Sequence, residues 1–331
     1  MKDFIKYLLI FILIENFTLF AAGSLGQSGA NFLQIGVEPR GTALGGAVTA
    51  ISKGADALYW NPAGAVNIDK YSISLSHTDW FLDTKLTYGS VVYKIGPNDA
   101  IGASVTSFYM DEMEITDVYN STGTGSFYNS GDLAAGLSYA RRITDQFTFG
   151  ITGKFIHEYI WNETASQFAF DVGSIYKADF LNLRLGMVVR NFAGKLKMEG
   201  DDIDERIEEE KAKNEPENPR IERLAPEYRL PQVFQMGVAV DVFSSDMNTV
   251  TLISDVNVPS DNNERFSFAG EYAFKNLLFF RAAYKFNYDL ADLAALALGG
   301  GLKYSGFIFD YSFNDEGIFG GIHRFGIKFT I

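Results

Sequence analysis

The final eight residues, RFGIKFTI, alternate without a break: Phe325, Ile327, Phe329 and Ile331 fall on one side of an extended chain, Arg324, Gly326, Lys328 and Thr330 on the other. Side chains of a strand point alternately to its two faces, so a strict period of two is a strand signature. The pattern recurs in GFIFDYSFN, where Phe307, Phe309, Tyr311 and Phe313 oppose Ile308, Asp310, Ser312 and Asn314. It recurs with Phe266, Phe268, Tyr272 and Phe274 against Ser267, Glu271 and Ala273, and with Leu278, Phe280, Tyr284 and Phe286 against Arg281, Lys285 and Asn287. Earlier runs set Leu183, Leu185, Met187 and Val189 against Arg184, Gly186 and Arg190, and Phe147, Phe149, Ile151 and Phe155 against Thr148, Thr152 and Lys154. A chain built this way must form a sheet with one greasy and one polar face.

A soluble sandwich alternates too, but its apolar face mixes Val, Ile and Leu and its polar face avoids repeated glycines. Here the apolar face is heavy in Phe and Tyr, and Tyr71, Tyr93, Tyr139, Tyr159, Tyr176 and Tyr304 fall at strand ends, like the aromatic girdles of membrane barrels. The expected fold is therefore all-β: a transmembrane antiparallel β-barrel occupying residues 71–331. About fourteen strands can be placed, an even number. Connectors after even-numbered strands are short (GPND, TDQ, FKN), whereas most after odd-numbered strands are longer, among them HTDWFLDTK, EYIWNETASQ and the acidic stretch 200–230. Outer-membrane barrels show this asymmetry, with short periplasmic turns and long outer loops. The reading puts both termini on the periplasmic side. It expects arginine to cost about 2–4 kcal/mol at a lipid-facing Phe309 and to be tolerated better at Asp310.

The chain starts MKDFIKYLLIFILIENFTLFAAGS, with Lys2 and Lys6 ahead of an apolar run and small residues at Ala21, Ala22 and Gly23. Residues 1–23 read as a secretory signal peptide; the run is too short for the ~20 apolar residues of a spanning helix. The chain has no cysteine, so packing and backbone pairing must hold it together. The formal charge of −13 argues against a nucleic-acid partner, since phosphate binding calls for clustered Lys and Arg. Residues 200–223 alone hold ten acids and five bases, as expected of a solvated outer loop.

Residues 24–70 remain. Barrels of about eight strands are filled by their own side chains and those of sixteen or more leave a channel, so fourteen strands call for a filler. The segment is rich in Gly and Ala, and its charges Glu38, Arg40, Lys53 and Asp56 are expected to pair with the lumen residues Lys154, Asp171, Arg184, Glu271, Arg281, Lys285 and Asp310. Buried unpaired charges would be too costly. Within it, GADALYWNPAGAVNI contains a local turn: Pro62 sets φ, Asn61 bonds nearby backbone, and Gly64 permits an unusual dihedral. Trp60 is expected to wedge against the wall.

One ordered block is more specific. NFLQIGVEPRGTALGGAVTAISKGADALYWNPAG resembles the N-terminal signature of the PorV/PorQ family, a branch of the FadL-like outer-membrane barrels. The matching positions are Phe32-Leu33, Pro39-Arg40, Gly45-Gly46, Asp56, Ala57, Asn61, Pro62 and Ala63; Thr42-Ala43-Leu44 departs from the Gly-Met pair of the pattern. The resemblance implies a fourteen-stranded barrel in the outer membrane of a Gram-negative-type bacterium, with an N-terminal hatch in which Arg40, Gly45, Gly46, Asp56, Trp60, Asn61, Pro62 and Gly64 have structural or gating roles. It implies a transport or protein-export role of PorV/PorQ type, with secreted proteins as partners. The alternative is a FadL-type channel for hydrophobic small molecules such as long-chain fatty acids. An enzyme is not expected: the three histidines, His77, His157 and His323, show no metal-ligand spacing, no Gly-x-Ser-x-Gly elbow occurs, and no cofactor motif is present.

Overall fold

A computed structural model describes residues 26, 28–200, 227–287, 295–317 and 320–331. The expected signal peptide 1–23 and most of the acidic stretch 200–230 lie outside the described residues. Fourteen strands form the barrel: β1 Tyr71–Asp79, β2 Thr84–Lys94, β3 Asp99–Met110, β4 Ser130–Arg142, β5 Phe147–Ile160, β6 Glu163–Lys177 and β7 Arg184–Ala193. They continue as β8 Val233–Ser244, β9 Asn248–Pro259, β10 Arg265–Phe274, β11 Leu278–Asn287, β12 Ala295–Tyr304, β13 Phe307–Asp315 and β14 Gly321–Thr330. Each pairs antiparallel with its sequence neighbours, and the ring closes where β1 meets β14, Ser72 opposite Thr330 through Thr78 opposite Arg324. Closure leaves the ring itself without an open edge, the condition for a sheet to cross lipid; the short strands Lys195–Gly200 and Glu227–Arg229 extend the sheet from the outer end of β6.

Alternation sets the facing as expected. Phe309 is 50% exposed on the outside while Asp310 is 7% exposed and points inward. The expectation that Asp310 tolerates arginine does not survive, because its carboxylate receives Arg281 Nη1 at 2.6 Å inside the barrel. Facing alone does not predict tolerance; a lumen position can be as tightly packed as a core. Two tight turns follow from local chemistry: Lys275-Asn276 and Ser305-Gly306 both have positive φ at their two central residues, the hairpin geometry that matches strand twist. Some outer connectors are shorter than expected. β5 and β6 run on to Ile160 and Glu163, so EYIWNETASQ is mostly paired strand around Trp161-Asn162.

The inner wall is lined with small residues, and the chain from Ser28 to Ile68 occupies the space they leave. Pro39–Ala43, a short helix (α1), packs against β11 to β14; the 3-10 turn Pro62–Val66 packs against β3 to β6; and Gly54–Asp56 packs against β1 and β2. Hatch residues Leu44, Ala47, Val48 and Ala50 meet wall residues Ala239, Ile253, Ala269, Ala283 and Ala297 in one buried cluster, and Phe32 and Leu33 meet Ala134, Ile156 and Ala169 in another. The hatch does not begin on the periplasmic side. Gly26 N–H donates to Asp261 O and Gly29 N–H to Arg229 O, both 3.0 Å, in connectors that follow odd strands. The segment therefore threads the lumen from the outer rim to β1 at the opposite rim, and only the barrel strands obey the two-termini rule.

Candidate functional site

The block Trp60-Asn61-Pro62-Ala63-Gly64 is the point where the hatch is built into the wall. Asn61 is 0% exposed. Its Nδ2 donates to Thr49 O at 2.9 Å within the hatch and to the wall carbonyls of Ser174 at 3.2 Å and Met187 at 3.4 Å. Ser174 and Met187 are register partners on β6 and β7, so one amide spans the seam between two strands. Its Oδ1 accepts from Ala63 N–H at 3.2 Å and caps the turn Pro62–Val66, in which Pro62, with no N–H of its own, suits the first position.

Three wall glycines make this approach physically feasible. A Cβ at Gly150, Gly173 or Gly186 would lie 2.4 Å from Ala63 N, 2.0 Å from Asn61 Oδ1 or 2.4 Å from Thr49 O, respectively. These inward glycines, on β5, β6 and β7, form the socket for the knob. Sequence parity places Gly186 on the polar face, but nothing local identifies what it makes room for. Gly64 differs from expectation: its φ is not in the left-handed region, and its necessity is contact, because a Cβ would stand 2.1 Å from Ser52 O. Left-handed backbone occurs instead at Gly45 and Gly46, with φ of 62° and 80°, where the chain turns after α1.

Trp60 lies between the hatch's own glycines and the wall, in one buried cluster with Ala239, Ile253, Ala269, Ala283 and Ala297. Its indole sits against Gly36, Gly41 and Gly46, and Nε1 donates to Glu38 Oε1 at 2.9 Å. Glu38 is also the N-cap of α1, accepting from Arg40 N at 2.8 Å and Gly41 N at 2.5 Å. Burial, with the Asp56 carboxylate adding to it, pushes the Glu38 carboxyl up to about 7.

Electrostatic ties complete the attachment. Arg40 bonds Glu271 in a two-point fork, Nε to Oε2 at 3.0 Å and Nη2 to Oε1 at 3.1 Å. Glu271 also takes Arg281 Nε at 2.7 Å, and Arg281 reaches Asp310 at 2.6 Å, a four-charge row across β10, β11 and β13. On the next strand of the ring, β14, Lys328 pairs with Asp56. The expected hatch-to-lumen pairing thus forms for Arg40 and, through a partner the sequence reading did not single out, for Asp56. Glu38 is satisfied mainly by N–H donors and Lys53 is exposed. Lys154 and Asp171 pair with each other at 2.8 Å, and Arg184 pairs with Asp241.

The hatch divides the lumen into two chambers. One, of 540 Å³, is bounded by Trp60 and Gly46 below and by Trp80, Asp261 and Glu316 from odd connectors above. The other, of 620 Å³, lies between Ile51 and Ser52 and the even-connector residues Asp145, Gln146 and Asn182. Both are walled by polar and charged side chains. The three histidines lie away from both, on the outer surface of β1, β5 and β14, bonded to Thr87, Ser166 and Tyr311.

Comparison with known proteins places this geometry. A family model described as "Type IX secretion system protein PorV" matches residues 25–258. No curated protein matches the chain. Among solved structures, a FadL homologue from Pseudomonas aeruginosa superposes with a TM-score of 0.58 at 12% identity, covering 93% of this chain and 100% of that one. The toluene transporter TbuX of Ralstonia pickettii gives 0.57 at 12%, covering 89% and 98%. The toluene transporter TodX of Pseudomonas putida gives 0.56 at 13%, covering 87% and 95%. At these identities the likeness concerns the fold.

Proposed function

The chain belongs to the PorV family of outer-membrane barrels, and from that premise we propose that it serves protein export as a closed barrel, offering its outer rim and loops to exported chains. The carrying observation is the hatch: it crosses the lumen between the two chambers and is tied to opposite walls by Asn61, by Arg40 with Glu271 and by Asp56 with Lys328. A barrel so closed is a poor conduit and a rigid platform. In this reading Arg40, Asp56, Trp60, Asn61, Pro62, Gly45, Gly46 and Gly64 hold the hatch rather than touch cargo, and residues 1–23 are removed on export.

Uptake of hydrophobic small molecules is the second reading, favoured by the fold shared with toluene transporters. The chamber walls weigh against it. A site for an apolar solute is lined mainly by apolar side chains, whereas the outer chamber presents Arg190, Gln235, Asp255, Lys285 and Arg324. Deleting the gene in its host and measuring secreted proteins alongside uptake of radiolabelled toluene and oleate separates the two. Export predicts loss of secreted protein at unchanged uptake. Undiminished secretion with lost uptake would overturn the proposal.

A further inference from the structure

Six lumen cations, Arg40, Lys154, Arg184, Arg281, Lys285 and Lys328, each have a carboxylate within 4 Å. Arg190 of β7 and Arg324 of β14 have none among the described residues, although they are 5% and 2% exposed. Both border the same 540 Å³ outer chamber, from opposite walls. A buried guanidinium without a counter-charge is costly unless something else supplies the charge.

Each of the two is held in place by neutral groups. Arg324 donates Nη1 to Asn314 Oδ1 at 2.7 Å and lies 5.2 Å from the centre of the Trp80 ring. Arg190 donates Nη2 to Gln235 Oε1 at 3.2 Å and Nη1 to Tyr59 O at 3.5 Å, and lies 5.2 and 5.6 Å from the rings of Tyr59 and Trp60. The Nε of each is buried without a partner. A guanidinium has five N–H donors in a fixed fork, so both retain unused capacity of the geometry that suits carboxylate and phosphate. Among the described residues three carboxylates border the chamber and each has other partners: Asp255 accepts from Thr49 N and Gln235 Nε2, Asp261 from Ser28 Oγ and Gln34 Nε2, and Glu316 pairs with Lys285.

We propose that the outer chamber is a binding site for a small water-soluble oxyanion, a carboxylate or phosphate compound that enters from the odd-connector side and is held by Arg190 and Arg324. The volume lies within the range of small-molecule pockets. The polar floor and walls select against lipids and hydrocarbons. The site stands independently of the export role, since it rests on the two guanidiniums and their chamber alone.

The chain carries its own reporter: of its three tryptophans, Trp60 and Trp80 border the chamber and Trp161 lies in the β5–β6 turn. Full-length protein in detergent is titrated with succinate, citrate and inorganic phosphate against sodium chloride at equal ionic strength, following tryptophan fluorescence and heat by calorimetry. A saturable response to at least one oxyanion and none to chloride is expected, with the three arms separating carboxylate from phosphate preference. Arg324→Gln and Arg190→Gln, checked for folding by heat-modifiable electrophoretic mobility, should each weaken it at least tenfold, while Lys177→Gln in the opposite chamber leaves it unchanged. Absence of a saturable response to all three anions in the wild-type protein overturns the proposal, whatever the variants do. So does a response that survives in both arginine variants.

Discussion

Replacing Asn61 by alanine should release the hatch while leaving the barrel standing. The substitution removes the amide that donates to Thr49 O, Ser174 O and Met187 O and the oxygen that caps Ala63 N–H. The two wall carbonyls sit in a strand pair, so they lose little; Thr49 O and the turn lose their side-chain partner. Loss of the cap costs about 1 kcal/mol and the orphaned buried carbonyl about 1–3 kcal/mol, together about 2–4 kcal/mol of local stability. At 1.4 kcal/mol per tenfold, opening of the hatch becomes roughly 30- to 700-fold more frequent. Hydrogen–deuterium exchange on protein in lipid nanodiscs reads this directly. Amides of residues 39–66 should exchange faster by that factor, while those of β1 to β14 keep their protection. Unchanged hatch exchange would refute the anchoring role, and an equal rise across hatch and strands would show that Asn61 supports the barrel globally.

Gly173→Ala places a methyl 2.0 Å from Asn61 Oδ1 and should loosen the hatch by about 1–3 kcal/mol through overpacking. Because the two closest contacts are with that side chain and the next, Pro62 Cδ, lies at 3.2 Å, most of the penalty should vanish in the Asn61→Ala background. A double-mutant cycle showing simple additivity would exclude the socket. Phe309→Arg, on the lipid face, should destabilise refolding into lipid vesicles by about 2–4 kcal/mol, read from urea titration; a negligible change would reverse the facing of β13.

Much of the architecture was legible because alternation is a local property. Whether Phe325 and Arg324 point to opposite sides depends only on their being adjacent in a strand, so strand number, facing and the short even turns could be read along the chain. Fourteen strands then demanded a filler, and residues 24–70 were what remained. Loop lengths were read less well. Strands continue past the membrane wherever backbone pairing persists, as at Ile160 and Glu163, and apolar periodicity fades there because water replaces lipid.

The hatch motif was recognisable as a pattern, but its meaning is non-local. Asn61 meets Ser174 and Met187, Arg40 meets Glu271, and Asp56 meets Lys328, all across separations that no sequence period encodes. Gly64 shows the difference most clearly. From sequence it stood as a residue of unusual dihedral; in the fold it is the only residue type that leaves room for the Ser52 carbonyl. The sequence by itself determined that this chain forms a lipid-facing closed sheet with a small-residue, charged interior, because each residue's burial preference acts on the spot. Only the tertiary structure decided which charges are paired inside it and that Arg190 and Arg324 have no carboxylate partner among the described residues, because pairing requires two residues to arrive at one place.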